Sequence, residues 1–174
     1  MYHSCRYNSP LGELTLASDG EFLTGLWLPG QKHFAQNHSD PTEDPGLPVF
    51  QMPAAWLDRY FAGDFLCSSL LPLKPEGTHF QQKVWGILMN IPHTHTVTYG
   101  QIAKMLGNPG GAQAVGAAVG RNPISIIIPC DRVLGAGGKL TGYAGGIPAK
   151  IWLLRHEGHL PETITDWNLS GIVL

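Results

Sequence analysis

"TYGQIAKMLGNPGGAQAVGAAVG", residues 98–120, predicts two short helices joined by a tight turn. The first helix lies within 98–107 and ends at Gly107, since glycine is the residue most often found just after a last helical turn. The turn NPGG follows, and residues 112–120 then form the second helix. A helix, a tight turn and another helix in this order are the outline of a helix-turn-helix.

The second of these helices is unusual because six of its nine residues are Ala or Gly. With so little side-chain bulk, its backbone can come very close to another surface. Two interpretations stay open at this point. The helix could pack tightly against a neighbouring helix, or it could enter a narrow groove such as the minor groove of DNA, which is about 6 Å wide.

The next stretch, ISIIIPCDRV (124–133), predicts a buried strand over residues 124–128. Pro129 ends the strand because proline cannot donate a hydrogen bond to a sheet. The chain then places one thiol, that of Cys130, directly before the charged pair Asp131 and Arg132. A free cysteine is usually a small buried hydrophobic residue, so a reactive Cys130 needs support from the rest of the chain.

The segments that flank this strand predict a loop and two helices. Residues 135–146 hold six glycines around Tyr143, which is typical of a flexible hairpin or of a pocket wall against a flat ligand. Residues 149–158 form a last amphipathic helix. Upstream, residues 78–91 form a helix that begins with a capping box of Thr78 and Gln81.

The N-terminal part mixes strands and a helix. Residues 9–28 predict two strands about the turn Asp19-Gly20. A polar, proline-rich loop over 37–48 follows, and the stretch 53–65 then predicts a helix that stops at Gly63.

A linker over 70–79, with two prolines and a glycine, separates this part from the rest. We therefore predict an α/β domain over 1–76 and a second domain over 77–174.

Composition excludes several classes of protein. Of the 174 residues, 43% are hydrophobic and 14% are charged, which is typical of a globular protein. No apolar stretch approaches the length of a membrane span, and the first residues lack the apolar core of a signal peptide. The three cysteines are far apart, which disfavours disulfides and a zinc site. We expect an intracellular protein with no bound metal, cytoplasmic, or nuclear if it is eukaryotic.

Charge is divided unevenly along the chain. Residues 1–79 hold four basic and nine acidic residues, a net charge of −5, whereas residues 80–160 hold seven basic and two acidic residues, a net charge of +5. Such an asymmetry indicates that the second domain faces a polyanion.

From residue 78 to about 160 the sequence strongly resembles the O6-alkylguanine-DNA alkyltransferases, also called methylated-DNA–protein-cysteine methyltransferases. Five blocks carry the resemblance, in the family's order and spacing: FQQKVWGILMNIP, TYGQIAKMLGNP, AVGAAVGRNPISIIIPCDRV, TGYAGG and WLLRHEG. The N-terminal blocks SPLGELTL and LDRYFAG match more loosely. The resemblance implies an N-terminal α/β domain of ribonuclease-H-like shape and a C-terminal winged helix-turn-helix domain.

The resemblance also implies a function. The family binds double-stranded DNA through the minor groove, turns the damaged base out of the helix, and moves its alkyl group permanently onto a cysteine. The substrate is O6-alkylguanine, with O4-alkylthymine as a further candidate. We therefore expect a protein that acts once, as a monomer, with no cofactor and no membrane contact.

Residue by residue, the resemblance implies a role for each matching position. Cys130 is the acceptor, Asn122 braces its turn, Tyr99 approaches the flipped base, and Glu157 orients the family's catalytic histidine. Backbone groups of Cys130 and Val133 face the guanine, opposite a wall of Tyr143 and Ala144. The expected DNA contacts are Gln113, Ala114, Arg121 and Arg132.

The sequence departs from the family pattern at two of these positions. Asp131 stands where the family has a histidine, and Gln113 stands where it has an arginine that fills the gap left by the flipped base. An aspartate with an ordinary pKa near 3.9 is a weak base. Its charge is expected to raise the pKa of the Cys130 thiol, unless Arg132 or a helix N-terminus offsets it. A proton shared between Asp131 and Glu157 is a further expectation.

Three interpretations follow. The first is a working alkyltransferase with an altered proton acceptor, which Cys130, Tyr99 and Asn122 favour. The second, which Asp131 favours, is a protein that binds alkylguanine but transfers its alkyl group poorly. The third is a chain that keeps only the fold.

Overall fold

The N-terminal half is a small sheet with one helix. The computed structural model describes residues 1–36, 38 and 41–160. β1 (His3–Ser9) and β2 (Gly12–Ser18) form an antiparallel hairpin, and β3 (Leu23–Trp27) pairs antiparallel with β2. β4 (Thr42–Glu43) pairs parallel with β1, so the strand order is β3-β2-β1-β4.

The predicted strands about Asp19-Gly20 are confirmed as β2 and β3, whereas β1 was not predicted. β2 buries Leu14 and Leu16 completely, as expected for alternating residues on the inner face of a sheet. α1 (Gln51–Phe61) buries Trp56, Leu57 and Tyr60 on one side. The predicted loop over 37–48 contains β4, and its residues 37, 39 and 40 lie outside the described residues.

The described part of the C-terminal half, up to residue 160, holds four α-helices, namely α2 (His79–Met89), α3 (Tyr99–Met105), α4 (Ala112–Gly120) and α5 (Ile147–His156). The capping box at the start of α2 is present, and α4 has the predicted bounds. β5 (Val97–Thr98) pairs parallel with β6 (Val133–Leu134). No helix in the described ranges is long and apolar enough to cross a membrane.

The strand predicted over residues 124–128 is wrong, since this stretch is a buried turn. The backbone N–H of Ile128 donates to the carbonyl of Ile124 at 3.0 Å, and Ile126 has a φ of +69°. The isoleucines are nonetheless almost fully buried. A short apolar run predicts burial reliably, but it does not by itself distinguish a strand from another buried conformation.

The two halves meet along β3. The backbone N–H of Leu26 donates to the carbonyl of Pro123 at 2.8 Å, and the N–H of Ser125 donates to the carbonyl of Leu26 at 2.9 Å. The turn before Cys130 therefore continues the N-terminal sheet at its edge. One hydrophobic cluster contains residues from β2, β3, α1, α2 and α4, so the halves share a core. The boundary near residue 76 stays a prediction.

Candidate active site

Asn122, just after α4, holds the turn that carries Cys130. Its side-chain amide donates to the carbonyl of Ile128 at 2.8 Å and to the sulfur of Cys130 at 3.2 Å. Its amide oxygen accepts the backbone N–H of Ile124 at 3.0 Å. One buried side chain thus ties both ends of the turn to the thiol, as expected from the resemblance.

Cys130 lies at the bottom of a pocket of about 270 Å³ between α4 and the glycine-rich loop. The thiol residue is only 3% exposed. The pocket is lined by Lys32, His33, Tyr99, Gly116, Val119, Gly120, Cys130, Gly142, Tyr143 and Ala144. The hydroxyl of Tyr99 accepts a hydrogen bond from Thr141 at 3.5 Å, which links α3 to the glycine-rich loop.

The pKa of the Cys130 thiol is raised to about 11. Burial is the main cause, because a thiolate loses its hydration there. The neighbouring Asp131 raises the pKa further, as predicted, whereas the hydrogen bond from Asn122 and the charge of Lys150 lower it in part. The resting thiol is therefore protonated at neutral pH and needs a proton acceptor before it can attack.

Asp131 is 1% exposed, and neither carboxylate oxygen has a hydrogen-bond partner among the described residues. Burial raises the pKa of this carboxyl, and repulsion from Glu157 raises it further. A carboxyl group in this environment is a stronger base than an exposed aspartate. The prediction of a weak base with an ordinary pKa is therefore wrong for Asp131.

Arg132 and Glu157 form a buried ion pair behind the pocket. Two guanidinium nitrogens of Arg132 each donate to a carboxylate oxygen of Glu157 at 2.8 Å, and a third donates to the carbonyl of Ile91. The hydroxyl of Tyr60, on α1, also donates to Glu157, at 2.9 Å. Because Arg132 is buried and fully engaged, the predicted DNA contact of Arg132 does not fit the structure. Glu157 therefore positions Arg132 in this protein. The resemblance implies that Glu157 orients a histidine, and Asp131 stands at the position of that histidine.

Lys150, on α5, was not predicted as a site residue, since 149–158 indicated only an amphipathic helix. It is completely buried, and its ammonium donates to the carbonyls of Val133 at 2.5 Å and Thr141 at 3.4 Å. Burial lowers its pKa to about 8, while the charges of Asp131 and Cys130 oppose this shift. Lys150 therefore supplies a buried positive charge close to the thiol.

Not all predicted ligand-binding positions reach the pocket. Tyr99, Tyr143 and Ala144 line it, whereas Val133 is fully buried outside the lining. The carbonyl of Val133 accepts the hydrogen bond from Lys150. The predicted contact of Val133 with guanine is therefore not supported by this arrangement.

The predicted DNA-facing positions on α4 are on the surface. Gln113 and Ala114 are exposed, and so is Arg121 just beyond the helix. One guanidinium nitrogen of Arg121 donates to the side chain of Gln36 at 3.4 Å, a long contact that leaves the guanidinium accessible. Gly116, three residues after Gln113 and therefore on the same face of α4, lines the pocket, whereas Val115 and Ala118 on the opposite face are buried. One face of α4 thus borders both the solvent and the pocket.

Lys32 and His33, from the loop after β3, were also not predicted as site residues. They line the pocket of Cys130 although they belong to the N-terminal half. No motif marks them, and they fall within the segment whose net charge is negative. The approach of this loop to the pocket is a tertiary feature, which local sequence patterns do not encode.

Sequence profiles and relatives place the chain among known proteins. The ribonuclease-like domain of 6-O-methylguanine DNA methyltransferase matches residues 1–75, and its DNA-binding domain matches residues 79–159. A methylated-DNA–protein-cysteine methyltransferase of Haemophilus influenzae is 47% identical over 151 residues, covering 87% of this chain and 83% of the relative. One of Mycobacterium tuberculosis H37Rv is 47% identical over 157 residues, covering 90% and 93%.

Solved structures agree with this assignment. The O6-methylguanine methyltransferase of Mycobacterium tuberculosis is similar with a TM-score of 0.80 at 45% identity, covering 93% of this chain and 96% of that chain. The same organism's protein in complex with DNA gives a TM-score of 0.82 at 45% identity, covering 92% and 96%.

The chain is thus a mixed α/β protein with an N-terminal ribonuclease-like domain and a C-terminal DNA-binding domain, as predicted. It belongs to the 6-O-methylguanine DNA methyltransferase family.

Proposed function

We propose that this protein repairs DNA by moving an alkyl group from O6-alkylguanine to Cys130, once per molecule. The observation that carries the proposal is the buried thiol of Cys130 at the closed end of a pocket with aromatic walls, held by Asn122. The similar proteins carry the name of this activity. The target atom of alkylguanine lies inside the duplex, so the base has to leave the helix to reach the thiol.

The transfer is a displacement at the alkyl carbon. The thiolate of Cys130 forms a carbon–sulfur bond as the carbon–oxygen bond to guanine breaks. The electron pair of that bond stays on the guanine oxygen, and the base takes up one proton from solvent to become ordinary guanine, which balances the proton that the thiol loses. Thiolate is the strongest nucleophile among side chains once the thiol has lost its proton.

Two neighbouring groups assist the loss of the thiol proton. Asp131, whose pKa is raised by burial, accepts the proton through an intervening water molecule, because its carboxylate makes no direct hydrogen bond to the thiol. Lys150 holds a buried positive charge that attracts the thiolate. Asp131 thereby takes the place of the family's histidine, with the disadvantage that its charged form repels a thiolate.

The mass of the intact protein after incubation with a duplex containing O6-methylguanine tests this proposal. We expect a gain of one methyl group per molecule, which peptide mapping places on Cys130. A Cys130→Ser variant serves as the control and gains none. A methyl group found only on the exposed Cys67 would overturn the proposal.

A second candidate function is lesion binding with little transfer. The raised pKa of Cys130 and the presence of Asp131 favour it. In that case the protein would bind a methylguanine duplex more tightly than a plain duplex, and its mass would stay unchanged after prolonged incubation.

We propose that DNA binds to the C-terminal domain through its minor groove, with α3 and α4 as the helix-turn-helix and β6 leading into the wing. The net charge of +5 over residues 80–160 supports this proposal. Affinity should then fall steeply with added salt, because each neutralised phosphate releases counterions. A salt-independent affinity would contradict this docking.

We further propose that the protein acts inside the cell, as a monomer and without a cofactor. Cys5, Cys67 and Cys130 are all free thiols, which fits a reducing compartment. Sedimentation with and without a lesion duplex tests the monomer proposal.

A further inference from the structure

The loop after β3 is fixed to the C-terminal domain beside the pocket. The side chain of Gln31 is buried, and its oxygen accepts hydrogen bonds from the hydroxyl of Ser125 and the backbone N–H of Leu28, each at 3.0 Å. The backbone N–H of Lys32 donates to the carbonyl of Ala144, a pocket residue, at 3.0 Å. These hydrogen bonds, to Leu28 in the N-terminal half and to Ser125 and Ala144 in the C-terminal half, hold Lys32 and His33 at the pocket.

The backbone of this loop adopts an uncommon conformation at the same place. His33 has a φ of +62° and Ala35 a φ of +48°, in the left-handed region that residues other than glycine seldom occupy. Such a backbone persists only where surrounding contacts impose it. In this loop, the left-handed backbone occurs where the side chains of Lys32 and His33 line the pocket.

Lys32 brings a positive charge to a pocket that is otherwise without formal charge. Among the ten lining residues it is the one lysine or arginine. No hydrogen bond or ion pair of its ammonium is found among the residues that the structure describes. O6-methylguanine is a neutral base and has no need of an ammonium group. The charge therefore indicates an anion at this position.

The location of the two side chains identifies which anion. Lys32 and His33 are exposed, whereas Cys130 is buried at the far end of the pocket. The alkyl group has to point at Cys130, so a carboxylate on that group would lie beside Cys130 and Asp131, where negative charge is unfavourable. The phosphates of the flipped nucleotide stay at the open end, because the nucleotide turns about its backbone.

We infer that Lys32 and His33 bind the phosphate group next to the flipped alkylguanine, so that the N-terminal half takes part in DNA binding. This inference rests on the proposed function for the flipped base. The ammonium supplies a point charge, and the imidazole can donate a hydrogen bond to a phosphate oxygen in either charge state. The anion could also be a carboxylate of the alkyl group, which the experiment below distinguishes.

The test uses duplexes that carry O6-methylguanine or O6-carboxymethylguanine. Each is prepared with ordinary phosphates, or with an uncharged methylphosphonate on one side of the lesion or the other. Binding is measured in a Cys130→Ser background, so that no transfer interferes. We expect Lys32→Ala to weaken binding to the ordinary duplex about fivefold and to reduce the salt slope by about one. On the duplex whose contacted phosphate is a methylphosphonate, Lys32→Ala should weaken binding no further.

Lys83→Ala, which removes an exposed lysine of α2 outside the pocket, is the matched control. It should show no dependence on the methylphosphonate position. His33→Ala should weaken binding less than Lys32→Ala does, and its effect should depend on the position of the methylphosphonate in the same way. Thermal unfolding of each variant checks that the fold is kept.

Equal losses for Lys32→Ala on all duplexes would overturn the inference. A loss confined to duplexes with O6-carboxymethylguanine would also overturn it, in favour of an alkyl carboxylate. Failure of the unsubstituted protein to gain a methyl group would refute the proposed transfer, but the binding comparison would still test the phosphate contact.

Discussion

At the scale of single residues, Asp131 decides how the thiol is activated. Burial raises the pKa of both Cys130 and Asp131. The charge of Asp131 raises the pKa of the thiol further, and the charge of Glu157 raises the pKa of the Asp131 carboxyl further. The Asp131 carboxyl is thus a better proton acceptor than an ordinary aspartate. Its negative charge, however, destabilises the thiolate of Cys130. A histidine has no such conflict, because it is neutral before it takes the proton and positive afterwards.

Asp131→His should raise the rate of methyl transfer about tenfold or more, the lower range for a well-placed general base. Single-turnover kinetics with an O6-methylguanine duplex measure the effect. Asp131→Asn is the control, since it removes the negative charge without supplying a base. If Asp131→His transfers more slowly than the unsubstituted protein, Asp131 is already a well-adapted base and the electrostatic argument fails.

The transfer rate of the unsubstituted protein should rise with pH. With a thiol pKa of about 11, only about one thiol in ten thousand is ionised at pH 7, and that fraction grows about tenfold per pH unit. Above about pH 8 the slope should lessen, because Lys150 loses the charge that attracts the thiolate. Rates measured between pH 6 and pH 10, at about constant ionic strength, test this expectation. A flat profile above neutral pH would contradict it.

At the scale of secondary structure, α4 has two functions. Gly116 and Gly120 line the pocket, Gln113 and Ala114 beside them are exposed, and Val115 and Ala118 on the other face are buried. The close packing of the small-residue helix is confirmed, since α4 packs against α2 and α3, whereas its entry into the minor groove stays a prediction. The exposed position of Gln113 leaves it available to fill the space that a flipped base vacates.

Gln113→Ala should weaken binding to a lesion duplex about fivefold, the effect of losing roughly one hydrogen bond. Binding to plain duplex should change little, because the flipped state is absent there. Gln82→Ala, at an exposed position on α2, is the matched control. Equal losses on lesion and plain duplex would show that Gln113 only contacts the DNA backbone.

Elements that local patterns specify were predictable from the sequence. The capping box of α2 and the bounds of α4 follow from residues within a few positions of one another. The turn over 124–128 was not predictable, because its shape depends on hydrogen bonds to β3 and on Asn122. The pocket residue Lys32 and the buried Lys150 were missed for the same reason, since their roles arise only when distant segments meet.

At the scale of the whole molecule, a buried polar cluster joins the two halves behind the pocket. Glu157, at the end of α5, binds Arg132 of the active-site turn and Tyr60 of α1. The side chains of Arg132 and Glu157 are 9% and 1% exposed. Removal of one member of such a pair leaves a buried charge without its partner, which costs far more than the pair itself contributes.

Glu157→Ala should lower the free energy of unfolding by about 3 kcal/mol, because Arg132 stays buried without a counterion. Tyr60→Phe removes only one hydrogen bond to Glu157 and should cost about 1 kcal/mol. Chemical denaturation of both variants measures the difference. A Glu157→Ala variant as stable as Tyr60→Phe would show that water reaches Arg132.

The hydrogen bonds between Leu26 and residues 123–125 have a consequence for self-association. An uncovered strand edge offers unpaired backbone groups to any other chain, and it is a common starting point for aggregation. The C-terminal half covers this edge of β3 at Leu26, whereas residues 72–74 cover it at Leu23. Residues 1–76 expressed alone would therefore expose the part of the edge around Leu26. We expect that fragment to aggregate at concentrations where the whole chain stays dispersed, and a proline in place of Leu26 to reduce the aggregation of the fragment.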